Sequence, residues 1–515
     1  MAVRLNARRC PSAIPEATMT TRRRPNPMAV LAVPELVELM ARYVQNIWSL
    51  TEFIASLPPP AVTPHLAAIA ALAALPDVVR IQWPKVYVLS LPDDATLQHL
   101  LEAQALGAIV AVMDVDRDGP DARTPRELLR RLQPVVNHVT VVTNLSHIQA
   151  LQSMLCACPR LHSLVFEHSH HWAGITMSMV ADVFANLPLA QLRTLVLRGK
   201  FPASAALAIA SMLRNGCCTR LGLANVEFVN LRAEDRATLC EAIATCTTLR
   251  DLCIEKTIDI STRFLQQEQL PHQLQHFRLD VSTPRELFFH NCSDAVMTSL
   301  SSMLSEAPRL TQLEGRFVTQ LAETHEVLSR LTTLRIEVCA LDEKLLNRLV
   351  ALVPRLVSLR QLDLHEFSVK PRIGASLATA LTQCAKLQYL SAVAETMEAM
   401  KWLATVLSGC PQLHAIKLQL LSRCYDDLIE LVRSLQAASP ALRWIVLEKQ
   451  AWPISGQAKK TKTLAAMNVT LEYVDMDMCS ERERDTYAYW DAKAAKHQRL
   501  VVFLYYCPKY RFVFD

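Results

Sequence analysis

The stretch CPRLHSLVF, Cys158 to Phe166, returns as CPQLHAIKL, Cys410 to Leu418. The copies start 252 residues apart, which is nine times 28. Fixed-period self-similarity dictates architecture before any residue-level pattern does, because each copy must be one structural unit. Aligning on these copies gives the template L-x-x-L-x-L. It reads LHSLVF from Leu161, LRTLVL from Leu192, CTRLGL from Cys218 and LRDLCI from Leu249. It continues as LQHFRL from Leu274, LTQLEG from Leu310, LTTLRI from Leu331 and LRQLDL from Leu359. The last copies are LQYLSA from Leu387, LHAIKL from Leu413, LRWIVL from Leu442 and LEYVDM from Leu471, and a weaker VNHVTV from Val136 precedes the series.

The last two apolar positions of the template are two residues apart, which puts both on one face of a short strand. Between the strands lie MSMVADVFANL, ASAALAIASML, DAVMTSLSSML, TMEAMKWLATVL and YDDLIELVRSL. Their apolar residues recur at three- and four-residue steps, the helical period. Strand, helix and strand at a regular pitch require parallel strands joined by helical crossovers. No unit can bury its apolar face alone, so the units stack into a curved solenoid, strands inside and helices outside. The expected class is therefore α/β.

On these residues the chain resembles a leucine-rich-repeat array of the long, helix-bearing, ribonuclease-inhibitor-like type, over residues 136–479. It departs from that family at the position that usually holds Asn or Cys after the strand. Only Asn144, Cys339 and Cys479 fit there, so the repeats are degenerate.

The array also explains the cysteines. Cys158, Cys246, Cys384 and Cys410 stand three residues before the first template leucine, where Ala307 and Ser439 replace them elsewhere. A position accepting Cys, Ala or Ser selects a small buried side chain.

Residues 28–83 do not follow the repeat. LAVPELVELMARYV, WSLTEFIASLP and PHLAAIAALAALP read as three short apolar helices before Trp83. This order resembles an F-box, the motif that docks on the small adaptor of cullin-type ubiquitin ligases. The resemblance implies an adaptor-binding role for Pro34, Glu35, Leu36, Leu39 and Met40. The opening lacks one residue of the usual pattern, and prolines at 58–60 lengthen the middle; a plain helical cap on the solenoid is the alternative. Residues 84–135 read as irregular joining repeats. Residues 480–515 read as a cap whose final strand covers the open edge left by the last repeat.

Residues 1–27 hold six arginines and one acid, Glu16. A disordered basic tail is expected there, with a mitochondrial transit peptide as the alternative. The absence of a secretory apolar core and of any run of about 18 apolar residues predicts a cytoplasmic or nuclear protein without a membrane span. Its 15 cysteines are then reduced thiols. The net charge of +5 is dispersed along the chain, so no nucleic-acid surface is expected.

No phosphate loop, dinucleotide fingerprint, nucleophile elbow, HExxH or paired CxxC occurs, and no enzymatic activity, cofactor or metal is predicted. The histidines of EHSHHW, Glu167 to Trp172, read as an exposed loop. The expected function is protein binding on the inner face, to which the x positions of the template point. They supply Glu167, Thr194, Arg198, Arg220, Asp251, Glu255, His276, Arg278, Asp280, Glu314, Arg316, Arg335, Glu337, Asp363 and His365. Mixed charge suits specific protein contacts. Tyr389, Trp444 and Tyr473 at the same positions read as aromatic anchors. With Arg278, Arg335, Asp363 and His365 they form the predicted partner-binding set. Two functions follow as expectations: a ubiquitin-ligase substrate receptor, monomeric outside its complex with adaptor and cullin, or a free-standing scaffold or inhibitor.

Overall fold

The structure is a computed structural model. It describes residues 33–44, 47–112, 123–143, 153–168, 177–280, 294–322, 325–337, 343–368, 371–394, 401–420, 428–449, 457–474, 490–491, 494–495, 497 and 499–506. One sheet of 17 strands runs through the molecule. The first two strands, β1 (Val79–Gln82) and β2 (Lys85–Val88), are antiparallel. Every later pairing is parallel, as helical crossovers require.

The repeats predicted from the template become consecutive strands. They run β4 (His138–Thr143), β5 (Ser163–His168), β6 (Thr194–Pro202), β7 (Arg220–Val229), β8 (Asp251–Glu255), β9 (His276–Asp280), β10 (Gln312–Glu314), β11 (Thr333–Glu337), β12 (Gln361–Ser368), β13 (Tyr389–Ala394), β14 (Ala415–Leu420), β15 (Trp444–Lys449) and β16 (Val469–Val474). β3 (Ile109–Val112) joins β2 to β4. Equivalent template residues sit side by side: Leu164 beside Leu195, Leu195 beside Leu221, Leu362 beside Leu390. The helices at Met177–Asn186, Ala203–Arg214, Asp294–Ser305, Lys401–Gly409 and Leu428–Ala438 fall on the segments whose periodicity predicts them. The α/β leucine-rich-repeat-type solenoid expected from the sequence is the observed fold.

The template leucines are the core. Leu161, Leu164 and Phe166 are fully buried, and their counterparts from Val136 to Leu447 are buried, while Leu471 of the last copy is half-buried. Cys158, Cys246, Cys384 and Cys410 are buried too, and burial pushes the thiols of Cys158 and Cys384 up to about 12. Such thiols stay protonated and inert. Asn144, Cys339 and Cys479, the positions fitting the family's Asn/Cys slot, lie outside the described residues.

The two ends differ from expectation. At the C-terminus, β17 (Leu500–Tyr506) does not cover the outer edge of the last repeat. It inserts between β15 and β16 and pairs with both in parallel, leaving β16 outermost. At the N-terminus, α1 (Pro34–Tyr43), α2 (Ile47–Ser56) and α3 (Pro64–Ala73) form as predicted, and the prolines at 58–60 build a short 3-10 turn at Pro59–Ala61. Thr63 caps α3 by accepting the amide of Leu66 at 3.3 Å. Trp83, however, sits in the turn between β1 and β2, buried, with a cis bond to Pro84. It belongs to the first hairpin of the sheet and does not end a helix. The core of α1–α3 is continuous with that of the solenoid, from Val37 through Leu72 and Val86 to Leu504.

Candidate interaction surfaces

The template x positions do face inward, and there they pair with each other. Arg220 Nε meets Asp251 Oδ2 at 3.2 Å. His276 stands between Asp251, 3.2 Å from Nδ1, and Glu314, 3.1 Å from Nε2. Arg278 joins Glu255 at 3.1 Å and Glu314 at 3.2 Å, and Arg335 meets Asp363 at 3.7 Å. Arg198–Glu167 at 3.5 Å and Lys417–Glu448 at 3.1 Å extend this inner ladder of ion pairs to β5 and β15.

Burial alone would lower the pKa of His276, but the carboxylates of Asp251 and Glu314 outweigh it and raise it to about 9. Burial likewise pushes Glu314 upward, and His276, Arg335 and Arg278 hold it far below the usual carboxylate range. With His276 protonated, the four cations Arg220, His276, Arg278 and Arg335 face the four carboxylates Asp251, Glu255, Glu314 and Asp363. The centre of the inner face is electrically self-compensated.

Arg278, Arg335 and Asp363, three of the predicted partner-binding residues, are thus members of this ladder and largely buried. For Tyr389 and Trp444 the expectation of accessibility is corrected. Both occupy inward positions, yet Trp444 is fully buried and Tyr389 nearly so. They form a second core on the inner face with Ala415, Val446, Trp490, Ala494, Val501 and Phe503. The chain folds back so that Trp490 stacks on Phe503, ring centroids 5.3 Å apart, while Tyr389 lies 5.7 Å from Trp444. The Trp444 indole donates to Asp491 Oδ1 at 3.2 Å. In sequence, Trp490 stands in YAYWDAKAA, an apolar–aromatic run that charged neighbours disguise.

The side chains of His365 and Tyr473 lie outside the described residues, though their backbones belong to β12 and β16. Arg316 also departs from expectation: its backbone starts a 3-10 turn after β10 instead of continuing the strand. The His168–His171 side chains fall outside the described residues. Among those described, no group of His, Cys, Asp and Glu is placed to hold a metal.

The adaptor candidates form a different surface. α1 starts at Pro34, whose missing amide suits a first helical position, with Glu35 in the first turn. It buries Val37 and Ala41. Leu36, Leu39, Met40 and Tyr43 recur at three- and four-residue steps and are 36%, 45%, 42% and 79% exposed. With Val33 they form an apolar stripe that is exposed among the described residues. Two contacts fix the helix beside it: Glu38 with His65 at 2.8 Å, and Arg42 donating to the Ala105 carbonyl at 2.8 Å.

An open cavity lined by Asn225, Glu227, Lys256, Thr257 and Asp259 lies where β7 and β8 end. Asn225, at φ 55°, makes the bulge that shifts the β6–β7 register there. The Thr257 hydroxyl closes the bulge, donating to the Leu223 or Glu255 carbonyl and accepting from the Val226 amide. These groups stabilise backbone, and their charges are mixed.

No protein-family model matches the chain, and no curated protein does. Solved structures with a similar course include the complex of Rad7 and Elc1 in yeast, at 13% identity over 82% of this chain and 91% of that one, TM-score 0.40. TLR13 in complex with ssRNA13 shows 14% identity over 66% and 56%, TM-score 0.32. LegL7 from Legionella pneumophila, a leucine-rich-repeat-containing protein, shows 13% over 70% and 100%, TM-score 0.29. No helix among the described residues is long and apolar enough to cross a membrane.

Proposed function

We propose that this chain is a non-enzymatic protein-binding receptor in which α1 docks the adaptor of a cullin-type ubiquitin ligase and the solenoid holds the target. The observation that carries the reading is the stripe of Leu36, Leu39, Met40 and Tyr43. Burying apolar surface contributes roughly 25 cal/mol per Å². A contiguous uncovered apolar face is correspondingly a mark of a partner site. Pro34 and Glu35 would set the start and rim of that face. His365, at an inward position of β12, is the proposed target contact outside the self-paired ladder. Tyr473 stands in register with Leu504 and, through it, Leu447, a row of the solenoid core, so its expected place on the inner face is corrected.

The test is capture of adaptor and cullin by the full chain and by a Leu36→Lys/Met40→Lys variant. Retention by the wild type and loss in the variant, with equal melting temperatures, is the expected result. If the wild type retains neither protein, the ligase link is wrong. The free-standing scaffold then stands, a reading favoured by the core that α1–α3 share with the solenoid.

A further inference from the structure

The sequence shows no basic cluster, but folding makes one. Just before each repeat strand stands one residue whose backbone bonds to the next repeat. Arg193 N donates to His162 O, Thr219 N to Arg193 O and Arg250 N to Thr219 O, at 2.7–2.8 Å. The chain of bonds continues through Gln275, Thr311, Thr332, Arg360, Gln388 and His414 to Arg443. Residues far apart in sequence therefore form one row along the edge where the strands begin. A second row, two positions earlier in each repeat, runs from Arg160 through Arg309 and Arg330 to Lys386 and Ala441. Neither row contains an acid.

The six cations Arg160, Arg193, Arg250, Arg360, Lys386 and Arg443 are all exposed, and none has a carboxylate within ion-pair distance among the described residues. Basic residues near helix C-termini can serve simply to cap carbonyls. Arg330 does so, donating to the carbonyls of Leu304 and Ala307 at 2.9 and 2.8 Å. Arg160 donates to the Gln104 side chain, whereas Arg193, Arg250, Arg360 and Arg443 make no side-chain bond among the described residues. The inner carboxylates are already paired with inner cations, so they do not neutralise this edge.

We propose that the edge is a docking ridge for an acidic, extended segment of a partner protein; this rests on reading the solenoid as a protein-binding array, and it names the chemistry of the target. Guanidinium groups bind carboxylates bidentately, and the Gln275 and Gln388 amides between them add neutral donors. Strands lie about 4.8 Å apart, so cations one or two rungs apart are about 5–10 Å from each other. Arg250 and Arg360 are four rungs apart, roughly 19 Å, and the exposed Arg309 stands midway between them. An extended chain advances about 3.3 Å per residue and meets that spacing with an acid at every second or third position. Duplex nucleic acid carries a charge every 1.7 Å or so, far denser than the ridge. A single strand stacks its bases chiefly on Phe, Tyr and Trp rings, and neither row has one, its rings being the imidazoles of His162 and His414.

The test uses the full chain and three labelled probes: a 20-residue oligoglutamate, a duplex DNA and a single-stranded RNA. Binding is read by anisotropy against an Arg193→Glu/Arg250→Glu/Arg360→Glu variant and the Leu36→Lys/Met40→Lys variant. We expect oligoglutamate to bind most tightly, to weaken with salt, and to lose at least about tenfold in the ridge variant. The α1 variant should bind it unchanged, so failure of the ligase reading and failure of the ridge are separate results. Tighter binding of either nucleic acid overturns the proposal in favour of a nucleic-acid ridge. Equal oligoglutamate binding by wild type and a folded ridge variant also overturns it, reducing the row to a solvated edge.

Discussion

At the residue scale, the same chemistry has opposite meanings on the two faces of a strand. Trp444 is an inward residue by its place in the template, and an aromatic there reads as an anchor for a partner. Its burial against Trp490 and Val501 makes it core, so Trp444→Ala should cost about 3–5 kcal/mol, read as a lower urea midpoint. A variant as stable as wild type would return Trp444 to the surface. His276 makes a second residue-scale prediction. Its folded pKa of about 9 lies above the ordinary histidine value of 6.5, so its contribution is complete below pH 6.5 and is lost as pH rises to 9. Glu314, held low, contributes above about pH 4.5 and weakens as pH falls. Stability should therefore decline between pH 6.5 and 9 by on the order of 2–3 kcal/mol, and His276→Gln should flatten that decline in urea titrations.

At the element scale, the repeat made the solenoid legible, because a period-2 apolar pair and a helical stripe recur at one pitch. Strand starts, helix segments and the small-residue slot of Cys158 all follow from that periodicity. Three things were hidden for a physical reason: each depends on contacts between residues far apart in sequence. The ion pairing of Arg278 with Glu255 and Glu314 joins strands β8, β9 and β10, and no local window contains it. Trp490 and Ala494 pack with Trp444 of β15 and Phe503 of β17. The insertion of β17 breaks the chain order that every earlier strand obeys. Its consequence is geometric: strands 4.8 Å apart backed by helices 8–10 Å apart must curve, whereas an extra strand between β15 and β16 relieves the mismatch locally. Val502 lies between Ile445 and Leu471 in that insertion and is fully buried. Val502→Asp should strip amide-exchange protection from β15 and β16 while β5–β9 keep theirs, since each repeat contacts chiefly its neighbours. Uniform loss of protection would show that the solenoid unfolds as one unit.

At the scale of the whole molecule, the continuous core decides how the front end can be tested. Residues 28–83 resemble a detachable docking domain, but α3 and the β1–β2 hairpin close the first turn of the solenoid core. Leu66, Ile69 and Leu72 share that core with Leu100, Val110 and Val139. Removing the segment strips α3 from the Asp94–Ala105 helix it packs against and β1 from β2, so lost partner binding would report misfolding as readily as a lost docking site. Point charges on α1 avoid this, because Leu36 and Met40 touch solvent while Val37 and Ala41 hold the helix in place. The expected contrast is sharp. Deletion of 28–83 should lower the melting temperature and bind a hydrophobic dye. Leu36→Lys/Met40→Lys should melt within about 1–2 °C of wild type, as surface changes usually do. A large loss of stability in that variant would mean that the stripe is covered by the chain itself, and α1 would then be a cap with no partner.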